Sequence, residues 1–310
     1  MVRVKAFAPA SVANVACGFD VFGFALEQPG DVVEILLNDT GEITIKEITG
    51  DQGLLPRHVD ENTCSVAMRQ FLKSLNLSTG VEISLHKQLP LGSGMGSSAA
   101  SAVAALVAIN HAVQNPLTRK QLLPFAVEAE RIACGTAHAD NVAPSLLGGF
   151  VLIRDKATLD IISIPVPEEL HAVVVHPHIE IRTSDARQAM KKMISIDDAI
   201  KQWGNAAALI AGMMKSDYEL IGRSLEDVVA EPVRSIFIPG YQQVKQAALQ
   251  AGALGCSISG SGPSLFALCK NQEVAKHTAH SMTEAFNRIG LTSDQFISTI
   301  NHEGAKILND

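Results

Sequence analysis

Three alternating glycines, in Pro90-Leu91-Gly92-Ser93-Gly94-Met95-Gly96-Ser97-Ser98, separate an alternating apolar run from a long alanine-rich one. Glycines at this spacing let the backbone approach a ligand closely, and the first amides of the helix that follows have no partner within it. Those amides and the helix dipole together favour an anion, phosphate above all. Two hydroxyls, Ser97 and Ser98, follow at once and can meet phosphate or a phosphate-bound Mg²⁺. The loop is not a Walker A, since no Lys precedes the serines, and not the dinucleotide fingerprint, since Ser97 stands where the last glycine belongs. A flexible connection that needs only a tight turn is the plainer alternative. A second cluster, Ser259-Gly260-Ser261-Gly262-Pro263, joins two apolar runs and by itself reads as a hairpin turn. Two such clusters in separate domains point to a cleft between the domains, where ligand sites concentrate.

Several polar residues could complete such a cleft. Asn14 and Asp20 flank Val15–Phe19 after the first strand, either as substrate contacts or as a turn residue and a cap. Glu128 and Glu130 are two apart on a helix, so only one faces the cleft; Glu130, between Ala129 and Ile132, is the candidate metal ligand, against the commoner solvated carboxylate. His138, Asp140 and Asn141 fall in a polar stretch from Thr136 that reads as a loop able to converge on a small substrate. Arg182, Arg187 and Arg234 are cationic candidates for a carboxylate, which guanidinium matches in bidentate fashion.

The elements that would position these residues read as follows. Strands are expected at Val2–Ala6, Val32–Leu37, Glu42–Ile48, Val81–Leu85 and Phe150–Arg154. Helices are expected from Asn62 or Thr63 to Leu75, through Ala99–Val113, and from Thr118 to Gly135, with a capping box at Thr118 and Gln121 and a kink or restart at Pro124. A boundary near residue 160 divides the chain into 1–160 and 161–310. The second half reads as helices at Ser184–Met193, Ile196–Lys215, Asp217–Asp227, Gly240–Ala251 and Gln272–Arg288, with strands at Ala172–His176, Gly255–Ser259, Ser264–Cys269 and Asp294–Ile300. Strand runs precede helices rather than alternating strictly with them, so the class is α+β.

Composition narrows the partners. The chain has 310 residues, 47% hydrophobic, with 25 Lys and Arg against 32 Asp and Glu, a net charge of −7. That balance argues against a phosphate-backbone or anionic-membrane surface, so neither nucleic acid nor membrane is expected. The apolar window Ala99–Val113 is broken by Ser101, Asn110 and His111, short of a membrane span, and the N-terminus has no secretory pattern. Five cysteines without a CxxC pair suit a reducing compartment, and the expected location is the cytoplasm.

The motif PLGSGMGSSAA resembles the phosphate-binding motif of the kinases named for galactokinase, homoserine kinase, mevalonate kinase and phosphomevalonate kinase, the GHMP superfamily. Four further segments, PASVANVACGFDVFGFAL, HADNVAPSLLGGF, DVVAEPVRSIFIPGY and SISGSGPSLFALC, are similar to the homoserine kinases in particular. The resemblance implies transfer of the ATP γ-phosphoryl group to the hydroxyl of L-homoserine, giving O-phospho-L-homoserine on the route to threonine. It implies the two-domain GHMP kinase fold, an N-terminal domain like ribosomal protein S5 domain 2 and a ferredoxin-like C-terminal domain, and a homodimer. By the same resemblance Pro90, Leu91, Gly92, Ser93, Gly94, Met95, Gly96, Ser97 and Ser98 wrap the ATP phosphates, and Ser98 with Glu130 holds Mg²⁺. Asn14, Asp20, His138 and Asn141 surround homoserine, with Asp20 on its ammonium and Arg187 and Arg234 on its carboxylate. Asn141 contacts the hydroxyl, and Asp140 sits where related sugar and mevalonate kinases place an aspartate base. Relatives commonly show Ser-Thr where this chain has Arg182-Thr183, so Arg182 is given no role.

Overall fold

In the computed structural model, which describes residues 2–135, 137–181 and 183–309, the chain runs through eleven strands, ten α-helices and one short 3-10 helix at Ser235–Phe237. Thr136 and Arg182 lie outside the described residues. The first half comprises β1 (Arg3–Ala13), β2 (Phe22–Asn38), β3 (Ile43–Thr49), α1 (Thr63–Ser74), β4 (Gly80–His86), α2 (Ser97–Ala112), α3 (Arg119–Cys134), α4 (Ala139–Leu147), β5 (Phe150–Asp155) and β6 (Asp160–Ile164). The second comprises β7 (His171–Pro177), α5 (Thr183–Gln188), α6 (Ile196–Lys215), α7 (Tyr218–Ser224), α8 (Glu231–Arg234), α9 (Tyr241–Gln250), β8 (Gly255–Ile258), β9 (Leu265–Cys269), α10 (Gln272–Asn287), β10 (Ser293–Thr299) and β11 (Lys306–Leu308).

The larger sheet has the order β11-β1-β2-β4-β3, with β5 on β2 and β6 on β5. β11 pairs with β1 through Lys5–Leu308 and Phe7–Lys306, so a strand from the end of the chain completes the first sheet. Together with β6, it lies across the division drawn at residue 160. β1 and β2 are both longer than their alternation suggested. Beyond Ala6 the residues of β1 are buried on both faces and the polar half of the pattern vanishes, while Gln28-Pro29-Gly30 sits inside β2 opposite a register shift between Pro9 and Ser11.

The second sheet has the order β10-β7-β9-β8, every pair antiparallel. Numbered within the half, that is 4-1-3-2 with helices in the first and last connections, the ferredoxin-like arrangement. β7 reads as unbroken Ala172-Val173-Val174-Val175 because both its faces are covered. Ala172 and Val174 join the main core, whereas Val173 and Val175 join a second core with Val244 of α9 and Phe286 of α10.

α2 is buried on nearly every side, from Ala99 to Ile109, as a helix apolar all round must be. α3 carries the expected capping box, yet it runs through Pro124 without a break. Its packing against α1 and α2 outweighs the lost hydrogen bond. The stretch His138–Asn141, expected as a loop, is instead the start of α4: His138 is the N-cap residue, and Asp140 and Asn141 lie in the first turn. Polar residues and Pro144 disguised this nine-residue helix, whose Val142, Ala143 and Leu146 face the core.

Candidate active site

β4 runs into the glycine loop, and α2 starts directly after it. Gly92, Gly94 and Gly96 take φ of 62°, 76° and 69°, the left-handed region that glycine enters without strain. Gly96 is the N-cap residue of α2 and offers no side chain to the first-turn amides, so these face the cleft as anion donors. At Gly94 a Cβ would stand 2.4 Å from the Ser259 carbonyl oxygen and 2.7 Å from that of Gly262. The two glycine clusters therefore touch backbone to backbone. The Ser259 hydroxyl donates to the Gly94 carbonyl at 2.8 Å, and the Ser264 amide to the Ser93 carbonyl at 3.2 Å.

The loop after β1 reaches the same place. Asn14, Val15 and Ala16 all have positive φ, a costly run for residues with side chains and one found where function over-determines the backbone. Asn14 holds it: its Nδ2 donates to the Gly260 carbonyl at 2.7 Å, and its Oδ1 accepts the Asp20 amide at 2.9 Å. Arg234, at the end of α8, donates to the same Gly260 carbonyl at 2.9 Å. Arg234 is 5% exposed, its guanidinium lies 4.9 Å from the Phe19 ring, and its buried Nε has no hydrogen-bond partner among the described residues.

These parts line one cavity of about 480 Å³ between the two halves. Asn14, Asp20, His138, Asp140, Asn141 and Arg234 border it beside Leu91–Gly94 and Gly96–Ser98. Arg187 of α5 reaches it through Asp20, whose Oδ2 accepts Arg187 Nη1 at 2.8 Å and Lys156 Nζ at 2.7 Å. Pro90 and Met95 do not border the cavity. Met95 is fully buried in the main core, and its carbonyl is tied to the Ser11 amide at 3.1 Å, so its part in the loop is structural.

The electrostatics are uneven. Burial pushes the Glu130 carboxyl up to about 7, partly opposed by a hydrogen bond from Ser98 and the charge of Lys87. Asp140 is likewise pushed up to about 7 by burial and then by the Asp20 charge. Burial would raise Asp20 too, but Lys156 and Arg187 outweigh it and hold that carboxyl below its ordinary value. Burial also lowers His138, against the pull of Asp20. Ser98 and Glu130 are thus brought together as an all-oxygen pair, the donor set of a hard cation, in a setting where an added positive charge would relieve the buried carboxyl. Glu128 instead pairs with Arg131 at the surface.

Three features were not expected. Lys87, in the link between β4 and the loop, is buried and pairs with Asp31 of β2; its Nζ also donates to the Ser97 carbonyl and Ser101 hydroxyl, both at 2.9 Å. Leu54, Leu55 and Pro56 line the cavity together with Glu61, Thr63 and Asn62 at the N-cap of α1. Lys156 projects from the turn between β5 and β6.

Comparison with known proteins gives a consistent picture. The model of the GHMP kinases N terminal domain matches residues 62–149, and that of the GHMP kinases C terminal domain matches residues 207–288. The chain is 51% identical to a homoserine kinase of Chlorobium phaeobacteroides (strain BS1), covering 99% of this chain and all of the relative. The crystal structure of homoserine kinase from Cytophaga hutchinsonii superposes with a TM-score of 0.97 at 52% identity, over 99% of this chain and 97% of that one. A mevalonate kinase structure from L. major, with R-mevalonate, shares the fold at a TM-score of 0.73 and 15% identity, over 96% of each chain.

Proposed function

This chain belongs to the homoserine kinases of the GHMP kinase family, and from that premise we propose how its own residues carry out the reaction. The reaction is transfer of the ATP γ-phosphoryl group to the hydroxyl of L-homoserine, giving O-phospho-L-homoserine, the family activity that leads to threonine. The observation that carries the residue assignments is the meeting, in one cavity, of a phosphate-type glycine loop with Arg234 and with Asp20, which Arg187 backs from outside.

The triphosphate lies along Leu91–Ser98 against the first amides of α2, and Leu54, Leu55 and Pro56 cover the nucleoside. Ser98 and Glu130 would hold Mg²⁺, which would supply charge neutralisation for the phosphates. Phosphoryl transfer asks the protein mainly for alignment, because its transition state is loose. Asp20 takes the substrate ammonium, and Arg234 gives its unpaired Nε–H to the carboxylate, with Arg187 beside it. Asn14 fixes Asp20 through its backbone, and His138 closes the same pocket from the N-cap of α4. Asn141, held by the Ser11 hydroxyl at 3.0 Å, meets the acceptor hydroxyl and aims it at the γ-phosphoryl. A substrate lacking the carboxylate leaves the buried Arg234 Nε unmatched, at about 1–3 kcal/mol, and one lacking the ammonium forgoes the contact with Asp20.

The proposal extends to division of the chain near residue 160 and to a homodimer in the cytoplasm, as the resemblance implies. No described helix is long and apolar enough to cross a membrane. ADP release measured side by side with homoserine, threonine, serine and mevalonate tests the substrate reading. Homoserine should be preferred by orders of magnitude. Turnover of mevalonate with none of homoserine would transfer the assignment to another alcohol.

A further inference from the structure

Asp20 carries more positive charge than the reading above uses. One oxygen, Oδ2, accepts both Arg187 and Lys156, at 2.8 and 2.7 Å. Arg187 has a second destination in the substrate carboxylate. Lys156 has none: it comes from the β5–β6 turn, Asp20 accepts its Nζ, and the family resemblance, which assigns Arg187 to the carboxylate, gives it no role. The Asp20 side chain is 15% exposed and that of Lys156 is 47% exposed, so a sheltered carboxylate is met by a half-solvated ammonium.

Resting on the assignment of Asp20 to the substrate ammonium, we infer that Lys156 is an internal stand-in for that ammonium, which the acceptor must displace in order to bind. Two ammonium groups and a guanidinium on one carboxylate repel each other, so the substrate's amino group and Lys156 Nζ compete. Water solvates Lys156 readily once it leaves, because nearly half of the side chain is already exposed. With the lysine withdrawn, Asp20 faces the ammonium while Arg187 and Arg234 face the carboxylate, one sign to each end of a zwitterion. With the lysine in place, Asp20 is neutralised and offers no bare negative charge to an acceptor without an amino group. Lys156 is therefore a specificity-determining residue of the acceptor site. Exposed ion pairs of this kind correspond to about a two- to fivefold change in an equilibrium.

The test measures initial ADP release by the full chain at saturating Mg²⁺ and ATP, against L-homoserine and against 4-hydroxybutyrate, the same alcohol without the amino group. Lys156→Met should lower the KM for homoserine about two- to fivefold, with the change in KM rather than kcat. Lys156→Arg, which retains a competing cation, should stay near the original KM. For 4-hydroxybutyrate the sign reverses, because Lys156→Met leaves Asp20 with one cation fewer and no substrate ammonium to replace it, and its KM should rise. A homoserine KM that is unchanged or higher in Lys156→Met overturns the inference, the second result marking Lys156 as a substrate ligand. Lys156→Gln repeats the measurement should the methionine variant fold poorly. Asp20→Asn separates the two readings: it should raise the homoserine KM at least tenfold. No effect of Asp20→Asn would overturn both the ammonium assignment and this inference, whereas a large effect beside an inert Lys156→Met overturns the inference alone.

Discussion

Replacing Gly94 with alanine tests whether the junction of the two glycine clusters is what holds the nucleotide. Two costs arise, and a second glycine separates them. Gly94 and Gly149 share a φ of 76°, so alanine at either position meets the same left-handed penalty of about 1–2 kcal/mol. At Gly149 a Cβ has nothing within 4 Å, and the penalty stands alone. At Gly94 it would press on the carbonyl oxygens of Ser259 and Gly262, at 2.4 and 2.7 Å, which are backbone atoms and cannot rotate aside. Overpacking adds about 1–3 kcal/mol, so Gly94→Ala should cost about 2–5 kcal/mol in all. Part of this appears as lost stability and part as a displaced loop, at about 1.4 kcal/mol per factor of ten in ATP affinity. Urea unfolding and ATP-dependent ADP release on both variants supply the assay. Gly149→Ala should lose about 1–2 kcal/mol with its ATP KM within about twofold of the original. Gly94→Ala should lose more and raise the ATP KM about tenfold or beyond. Equal behaviour of the two variants in both measurements would refute the claim that contact between the clusters shapes the phosphate site.

Further expectations follow from the buried charges. Glu130 and Asp140 have ordinary values of 4.5 and 3.8 and titrate near 7 in the folded protein. Between those values the folded chain holds protons that the unfolded chain has released, so ligand-free stability should fall as pH rises from about 5 to 7. Glu130→Gln or Asp140→Asn should each flatten that slope in urea titrations across the window; a slope unchanged in both would contradict the burial argument. Asp140→Asn should also keep ADP release within about tenfold, since alignment rather than proton abstraction dominates; a fall of several decades with the fold intact would make Asp140 the base. Lys87→Met leaves Asp31 charged, buried and short of its cation, at about 3–5 kcal/mol. Pairing it with Asp31→Asn should recover much of that loss, as a double-mutant cycle would show.

Much of the site was legible because its signals are local. The glycine loop, the helix after it and the capping box at Thr118 each lie within a few neighbouring residues, and the structure places them as read. Homoserine-kinase segments brought Asn14, Asp20, Asn141 and Arg234 to the same cavity. Pairings between distant positions left no such trace. Asp31 meets Lys87 across 56 residues and Asp20 meets Lys156 across 136, and neither partner's neighbours hint at the other. The Gly260 carbonyl, which joins Asn14 to Arg234, is a backbone atom and has no residue type to read. Elements were missed where packing erased the pattern, as in the doubly buried end of β1, or where polar and proline residues mimicked a loop, as at the start of α4.

The setting of α2 has an evolutionary corollary. Its alanines are hemmed in from all sides, so its N-terminal end, the proposed phosphate contact, can scarcely shift without loosening the whole first half. Around the acceptor, Arg187 of α5 and Lys156 of the β5–β6 turn are half exposed and under less restraint. Innovation in the choice of alcohol should therefore accumulate at those exposed positions sooner than along α2, as lineages diverge.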